Sequence, residues 1–353
     1  MKLRRTHALV VLGALLGGVV LGWYIRAFAV PAGVYRGAII RDDNSGYSLI
    51  DPILACDIGP EDAFPELNPV KQAITNTIAD DIRAKNAGAI SVYVRLLKSG
   101  KWFVINPDST YAPASLLKVF IMTSYYKENE DYPGVLNKQL VYQGSENPTD
   151  DNPGEVIPHL TSGQSYSVRD IIRQMIVYSD NDAFNTLVNN FDAKTLAAFN
   201  DIFTDLNIPS PATQSEDKLQ FMTVSAYATI FRVLFGATYL TRDDSERALS
   251  LLTQAQYKDG IVSGVPASLA VAHKFGVRSI PATTTMPAAS ELHDCGVVYY
   301  PGHPYLLCVM THGTDFADLQ KDVADISKVT YQQMDAYYAS RPTAATSTPV
   351  VGK

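Results

Sequence analysis

Apolar residues recur every fourth position at Val70, Ile74, Ile78 and Ile82, behind Asn68 and Pro69. An asparagine N-cap, a proline at the first helical position and Gly88 as the stop predict an amphipathic helix. Strict alternation takes over at Ile90, Val92, Val94 and Leu96, and "KSGK" separates it from "WFVIN". These two runs read as a β-hairpin. Helical spacing returns in "SVRDIIRQMIVYSDNDAFNTLVNNF", where Val168, Ile171, Ile172, Met175 and Ile176 share a face. Late in the chain, "LAVAHKF" (269–275), "GVVYY" (296–300) and "YLLCVM" (305–310) are short and β-rich, the last two joined across "PGHP". A final helix starts near Asp315, with Phe316, Leu319, Val323 and Ile326 on one side. The order helix, two strands, long helical block, three strands, helix predicts an α/β fold of the α+β type. An antiparallel sheet carries the terminal helices, and an all-helical lobe, about residues 107–262, is inserted so that a cleft forms where lobe meets sheet.

One stretch breaks its own pattern. "APASLLKVFIM" (112–122) is apolar on every side except for Lys118. A lysine so buried pairs, reaches solvent, or sheds its proton and becomes a base. Ser115 lies three positions earlier on the same helical face, where a base would make it a nucleophile. The plainer reading is a helix cap and a snorkelling lysine. The same S-x-x-K spacing occurs at Ser124/Lys127 and Ser215/Lys218, so the four letters alone do not decide.

Composition narrows the classes. The chain has 353 residues, 46% hydrophobic, with a net charge of −7 and no basic block interleaved with aromatics, which argues against nucleic acid as a partner. Residues 6–25 contain no Asp, Glu, Lys or Arg and match the length of a bilayer-spanning helix, while Lys2, Arg4 and Arg5 place the N-terminus inside. "AFA" at 27–29 resembles a signal-cleavage site, but Arg26 and the length of the run favour a retained anchor. The expected layout is an anchor or signal over 1–30, a linker over 31–66, a catalytic domain over 67–340 and a disordered tail over 341–353. The protein is then extracytoplasmic, either anchored in the cytoplasmic membrane or secreted, and monomeric. Three cysteines, Cys56, Cys295 and Cys308, allow one disulfide in such a compartment, its pairing open. No zinc-type spacing is present, so neither metal nor cofactor is expected.

Two further motifs bear on Ser115. Ser179-Asp180-Asn181 falls between two helical patterns; its residue types suit a cap, and equally a rigid turn presenting a hydroxyl and an amide. Lys274-Phe275-Gly276 ends a strand pattern, where a lysine could hold an anionic substrate and a glycine admits backbone pairing. Ser145/Asn147, Lys98-Ser99-Gly100 and Lys258-Asp259-Gly260 match the same short patterns without that frame.

The order of the three motifs resembles the serine penicillin-recognising enzymes, closest to class A β-lactamases. "PASLLKVFIM", "YSVRDIIRQMIVYSDNDAFNTLV" and "VAHKFG" carry the likeness, which extends over roughly residues 68–340. The resemblance implies a β-lactamase/transpeptidase-like fold with Ser115 as acylated nucleophile, Lys118 as its base and Ser179 as proton relay. It implies Asn181, Lys274 and Gly276 as substrate-binding residues, and backbone N–H groups of Ser115 and Val277 as the oxyanion hole. Two departures stand out. No E-x-x-L-N supplies a deacylating glutamate; "LNIPSPATQSEDKLQFM" holds only Glu216 and Asp217. Phe275 replaces the usual Thr or Ser, leaving Arg278 to grip a substrate carboxylate or to sit as an ordinary surface arginine. The reading is an enzyme that opens β-lactams through an acyl-enzyme with slow deacylation. The alternatives are a D,D-peptidase acting on peptidoglycan stem peptides and a non-catalytic wall-binding protein.

Overall fold

The computed structural model describes residues 39–41, 46–56, 64–84, 86–144, 158–214, 219–282 and 288–340. It opens with β1 (Ile39–Arg41), β2 (Ile53–Cys56) and helix α1 (Asn68–Arg83), then β3 (Ala89–Leu96), β4 (Trp102–Ile105) and β5 (Thr110–Tyr111). The lobe follows as α2 (Leu117–Asp131), β6 (Gln139–Val141), β7 (Ser165–Ser167), α3 (Val168–Val177), α4 (Asn181–Asn189), α5 (Ala193–Asp205), β8 (Met222–Thr223), α6 (Val224–Phe235) and α7 (Arg242–Leu252). Strands β9 (Val271–Ile280), β10 (Ala289–Val298) and β11 (Tyr305–Gly313) and helix α8 (Phe316–Ala339) complete it.

The five long strands form an antiparallel sheet in the order β4-β3-β11-β10-β9. Side chains alternate across a strand, so β11 feeds two cores: Leu306, Cys308 and Met310 face the lobe, while Tyr305, Leu307 and Val309 face the terminal helices. Burial on both faces explains why "YLLCVM" reads as an unbroken apolar run. Below the sheet, Val70, Ile74 and Ile78 of α1 join Leu319, Val323 and Ile326 of α8. Above it, Phe120, Ile172, Tyr227 and Phe231 fill the lobe.

Several details depart from the sequence reading. Helix α1 begins at Asn68, with Leu67 as N-cap, and stops at Arg83, ahead of Gly88. Ile82 is 40% exposed. An i+4 stripe advances ~40° per step, so by its fourth member it has rotated ~120° off the core. Strand β10 starts at Ala289, seven residues before "GVVYY", because Glu291, His293 and Asp294 are polar yet fully buried and hide the strand from a hydrophobicity pattern. The lobe is not all-helical: β6 pairs with β7, and β5 pairs with β8, Thr110 opposite Thr223. These ladders satisfy backbone groups at the entrance to the lobe and within it.

Side-chain caps set the helix starts. Ser167, Asp180, Asp192, Thr223, Thr241 and Asp315 each accept a backbone N–H in the first turn that follows, worth ~1 kcal/mol apiece. Part of the segment expected to be linker straps the lobe: the N–H groups of Ser48, Leu49 and Ile50 all donate to the Glu246 carboxylate, and Tyr47 donates to Asp243. Cys295 and Cys308, directly opposite on β10 and β11, form a disulfide. No helix among the described residues is long and apolar enough to cross a membrane. The expected anchor at 6–25, the tail at 341–353 and the Cys56 side chain lie outside the described residues.

Between the terminal helices, Asp81 and Asp322 are buried together, and each keeps one oxygen without a hydrogen-bond partner among the described residues. Burial pushes both carboxyls up, and the Asp81 charge helps carry Asp322 from 3.8 to about 7. The native state therefore binds a proton that the unfolded state releases, and stability falls as pH rises from 3.8 to about 7. Asp322→Asn should flatten that slope and raise the melting temperature above this range; melting curves across pH with an unchanged slope would refute it.

Candidate active site

Ser115 lies in the 3-10 turn Ala114–Leu116 that leads into α2. Ala114 holds a φ of +47°, a left-handed conformation that costs a non-glycine residue ~1–3 kcal/mol, so surrounding contacts must hold the turn. One is the Leu116 N–H to the Pro113 carbonyl at 2.9 Å. Another comes from β9. A Cβ on Gly276 would meet Pro113 O at 3.0 Å and Leu116 N at 3.2 Å, so the missing side chain lets the turn rest on the strand.

Helix α2 is buried around its whole first half, as its apolar sequence requires. Lys118, 2% exposed, resolves its conflict by pairing. Its Nζ donates to the Ser179 carbonyl, to Ser179 Oγ at 3.2 Å and to Asn181 Oδ1 at 2.7 Å. Three oxygens thus gather around the one amino group. The acceptors come from the Ser179-Asp180-Asn181 turn, where both readings of the sequence apply. Asp180 caps α4, accepting from Ala183 N at 2.9 Å and Gln174 Nε2 at 2.9 Å. Ser179, at φ +57°, points the other way, toward the lysines.

Lys274, fully buried on β9, reaches the same hydroxyl: its Nζ lies 2.8 Å from Ser179 Oγ and 2.7 Å from the Phe275 carbonyl. Phe275 itself turns to the other face of the sheet, where it stacks on Tyr257 at 4.1 Å and is 2% exposed. Its ring centroid also lies 4.1 Å from Lys274 Nζ, so the ring borders the lysine cluster. Val277 and Arg278 follow on β9, half-buried; Arg278 stands opposite Glu291 in the register and makes no ion pair with the described residues. Since β9 ends the sheet order, one row of its backbone groups has no strand beside it.

Of the sequence-predicted residues, Lys118, Ser179, Asn181 and Lys274 share one hydrogen-bonded cluster, and Gly276 packs against Pro113 and Leu116 of the turn that carries Ser115. Of the decoys, Ser124 bonds back to the Ile121 carbonyl and Lys127 to Glu130. Glu216, Asp217 and Ser145 lie outside the described residues. No group of metal-ligating side chains occurs among the described residues. Sequence reasoning missed Glu291 and His293, buried neighbours of Ala112 just ahead of Ser115. Their signal was "SELHDCGVV", a polar alternation leading into an apolar strand end. Gly276→Ala should displace the Ser115 turn and cost ~1–3 kcal/mol of stability, as overpacking does; a denaturant midpoint equal to that of the unaltered chain would count against this contact.

A family model described as the beta-lactamase enzyme family matches residues 69–334. Among solved structures, a mutant of PBP-A in acyl-enzyme complex with penicillin-G aligns at 16% identity and TM-score 0.60, over 75% of this chain and 97% of that one. A beta-lactamase from Sphaerobacter thermophilus DSM 20745 aligns at 20% identity and TM-score 0.60, over 76% and 98%. A class A beta-lactamase from Mycobacterium abscessus aligns at 19% identity and TM-score 0.60, over 74% and 99%. No match is found among curated proteins.

Proposed function

As a member of the beta-lactamase enzyme family, the chain is a serine hydrolase, and we propose that Ser115 is its nucleophile and that it works through an acyl-enzyme. The supporting observation is the pair of buried lysines bonded to one hydroxyl, Ser179 Oγ, beside the Ser115 turn. With Lys118 in its amine form, Ser115 Oγ attacks the amide carbonyl and Lys118 takes its proton. Ser179 passes its own proton to the leaving nitrogen and is reprotonated by Lys118, so the amide C–N bond breaks as the ester forms. Lys274 adds positive charge beside Ser179, Asn181 offers an amide to the substrate, and the backbone N–H groups of Ser115 and Val277 receive the oxyanion.

The substrate is a cyclic or acyclic amide of β-lactam or peptidoglycan stem-peptide type, with penicillin as the first probe. Phe275 has no hydroxyl and is buried against Tyr257 and Lys274, so Arg278 is the group that grips a substrate carboxylate. Acylation needs no water, whereas deacylation needs one and a base to activate it. The missing E-x-x-L-N therefore favours an acyl-enzyme that persists, and this observation supports the second reading, a D,D-peptidase. In either reading the enzyme works outside the cytoplasm, held by residues 6–25 or secreted after their cleavage, and acts as a monomer. A purely binding role would have no use for a base held beside a serine hydroxyl.

Time-resolved intact mass spectrometry with a penicillin should show rapid adduct formation on the peptide containing Ser115 and slow release. Labelling that survives Ser115→Ala, or fast turnover with no adduct, would overturn the proposal. Lys118→Met should abolish acylation while circular dichroism reports a folded chain; acylation at the normal rate would remove Lys118 from the mechanism. Arg278→Ala should weaken recognition of carboxylate substrates by ~1.5–3 kcal/mol; equal losses on the corresponding amides would exclude a carboxylate contact.

A further inference from the structure

Two fully buried polar side chains of β10, Glu291 and His293, grasp the backbone of one residue, Ala112, at the two successive peptide units that flank it. Glu291 Oε2 accepts the Ala112 N–H at 3.1 Å, and His293 Nε2 lies 3.0 Å from the Ala112 carbonyl. The tautomer follows from the ring's other end. Thr311 N–H points at His293 Nδ1 at 3.3 Å, so Nδ1 accepts and the proton sits on Nε2, which donates to Ala112. Glu291 Oε1 meanwhile accepts from Gln220 Nε2 at 2.6 Å, just ahead of β8.

Ala112 stands three positions before Ser115. Between them come Pro113, which has no N–H and a φ of −64°, and Ala114 in its strained left-handed conformation. Little torsional freedom separates the held residue from the nucleophile, so displacement at Ala112 is passed on to the Ser115 hydroxyl. A carboxylate and an imidazole at zero exposure are costly in a sheet interior, where apolar residues would stabilise the fold at least as well.

We propose that Glu291 and His293 are positioning residues for acylation, a clamp on the Ala112 backbone that fixes Ser115 against β9. The proposal rests on the reading of Ser115 as nucleophile. The groups facing the clamp are Arg278 from β9, His312 from β11 with its Nδ1 3.6 Å from Glu291, Gln220, and Tyr111 from β5, edge-on to the His293 ring at 5.3 Å. Burial keeps His293 neutral, with its pKa lowered from 6.5 to about 4, which suits a donor of fixed tautomer.

The test compares His293→Leu and Glu291→Leu with His293→Gln and Glu291→Gln, which keep a polar group near Ala112. Each is assayed well below its melting temperature, with penicillin and with a phosphonylating probe that reports Ser115 whatever the natural substrate. The leucine variants should lower the acylation rate constant at saturation by about tenfold or more, with the half-saturating concentration little changed, and the glutamine variants should recover most of that loss. Leucine variants within about twofold of the unaltered chain, or glutamine variants no better than leucine, would overturn the clamp. Nitrogen-15 NMR of the unaltered protein supplies an arm independent of activity and of variant folding. At neutral pH it should find His293 protonated on Nε2 and accepting at Nδ1; a proton on Nδ1 with Nε2 bare would overturn the clamp equally. If penicillin fails to label while the phosphonate labels Ser115, the substrate reading falls and the phosphonate rates still decide the clamp.

Discussion

Two lysine Nζ atoms converge on one hydroxyl oxygen, Ser179 Oγ, and the geometry of the site follows from satisfying them. Lys118 arrives on the first turn of α2, Ser179 on the turn between α3 and α4, and Lys274 on β9. Neither lysine is exposed to solvent, so each must find protein oxygens, and these come from elements distant in sequence. Backbone carbonyls supply part of the need, at Ser179 for Lys118 and at Phe275 for Lys274. Removing either side chain would leave oriented acceptors unpaired, which is why the cluster also fixes how the lobe sits on the sheet.

The sheet supplies the counterpart. Its two buried faces allow Phe275 to stack on Tyr257, while Lys274 on one side of it and Gly276 on the other remain beneath the Ser115 turn. The separation is not complete, because the Lys274 ammonium curls back over the Phe275 ring, 4.1 Å from its centroid.

How much of this could be read from the sequence depended on whether the physics was local. Period alone placed α1, the β3–β4 hairpin and α8, and the order of the S-x-x-K, S-D-N and K-x-G patterns located the lysine cluster. The fate of Lys118 was not legible, since pairing, snorkelling and deprotonation all begin from the same apolar run, and its acceptors lie 61 and 63 residues away. The start of β10 was hidden for a related reason. Glu291, His293 and Asp294 look solvent-facing until their partners at Ala112, Gln220, His273 and Ile261 are brought to them by the fold. The disulfide was equally undetermined, because strand register, not cysteine spacing, sets Cys295 opposite Cys308.

The sheet order carries a consequence for how the chain is made. Strand β3 has β4 on one side, but its other neighbour is β11, with Leu96 paired to Tyr305. A chain synthesised from its N-terminus therefore presents a half-finished sheet edge until more than two hundred further residues have emerged. The short β5–β8 ladder, Thr110 against Thr223, ties off the first part of the lobe and shortens the loop that β11 must span. Completion of the central strand pair is a late, non-local event, and until then the nascent chain exposes the very hydrogen-bonding groups on which aggregation feeds.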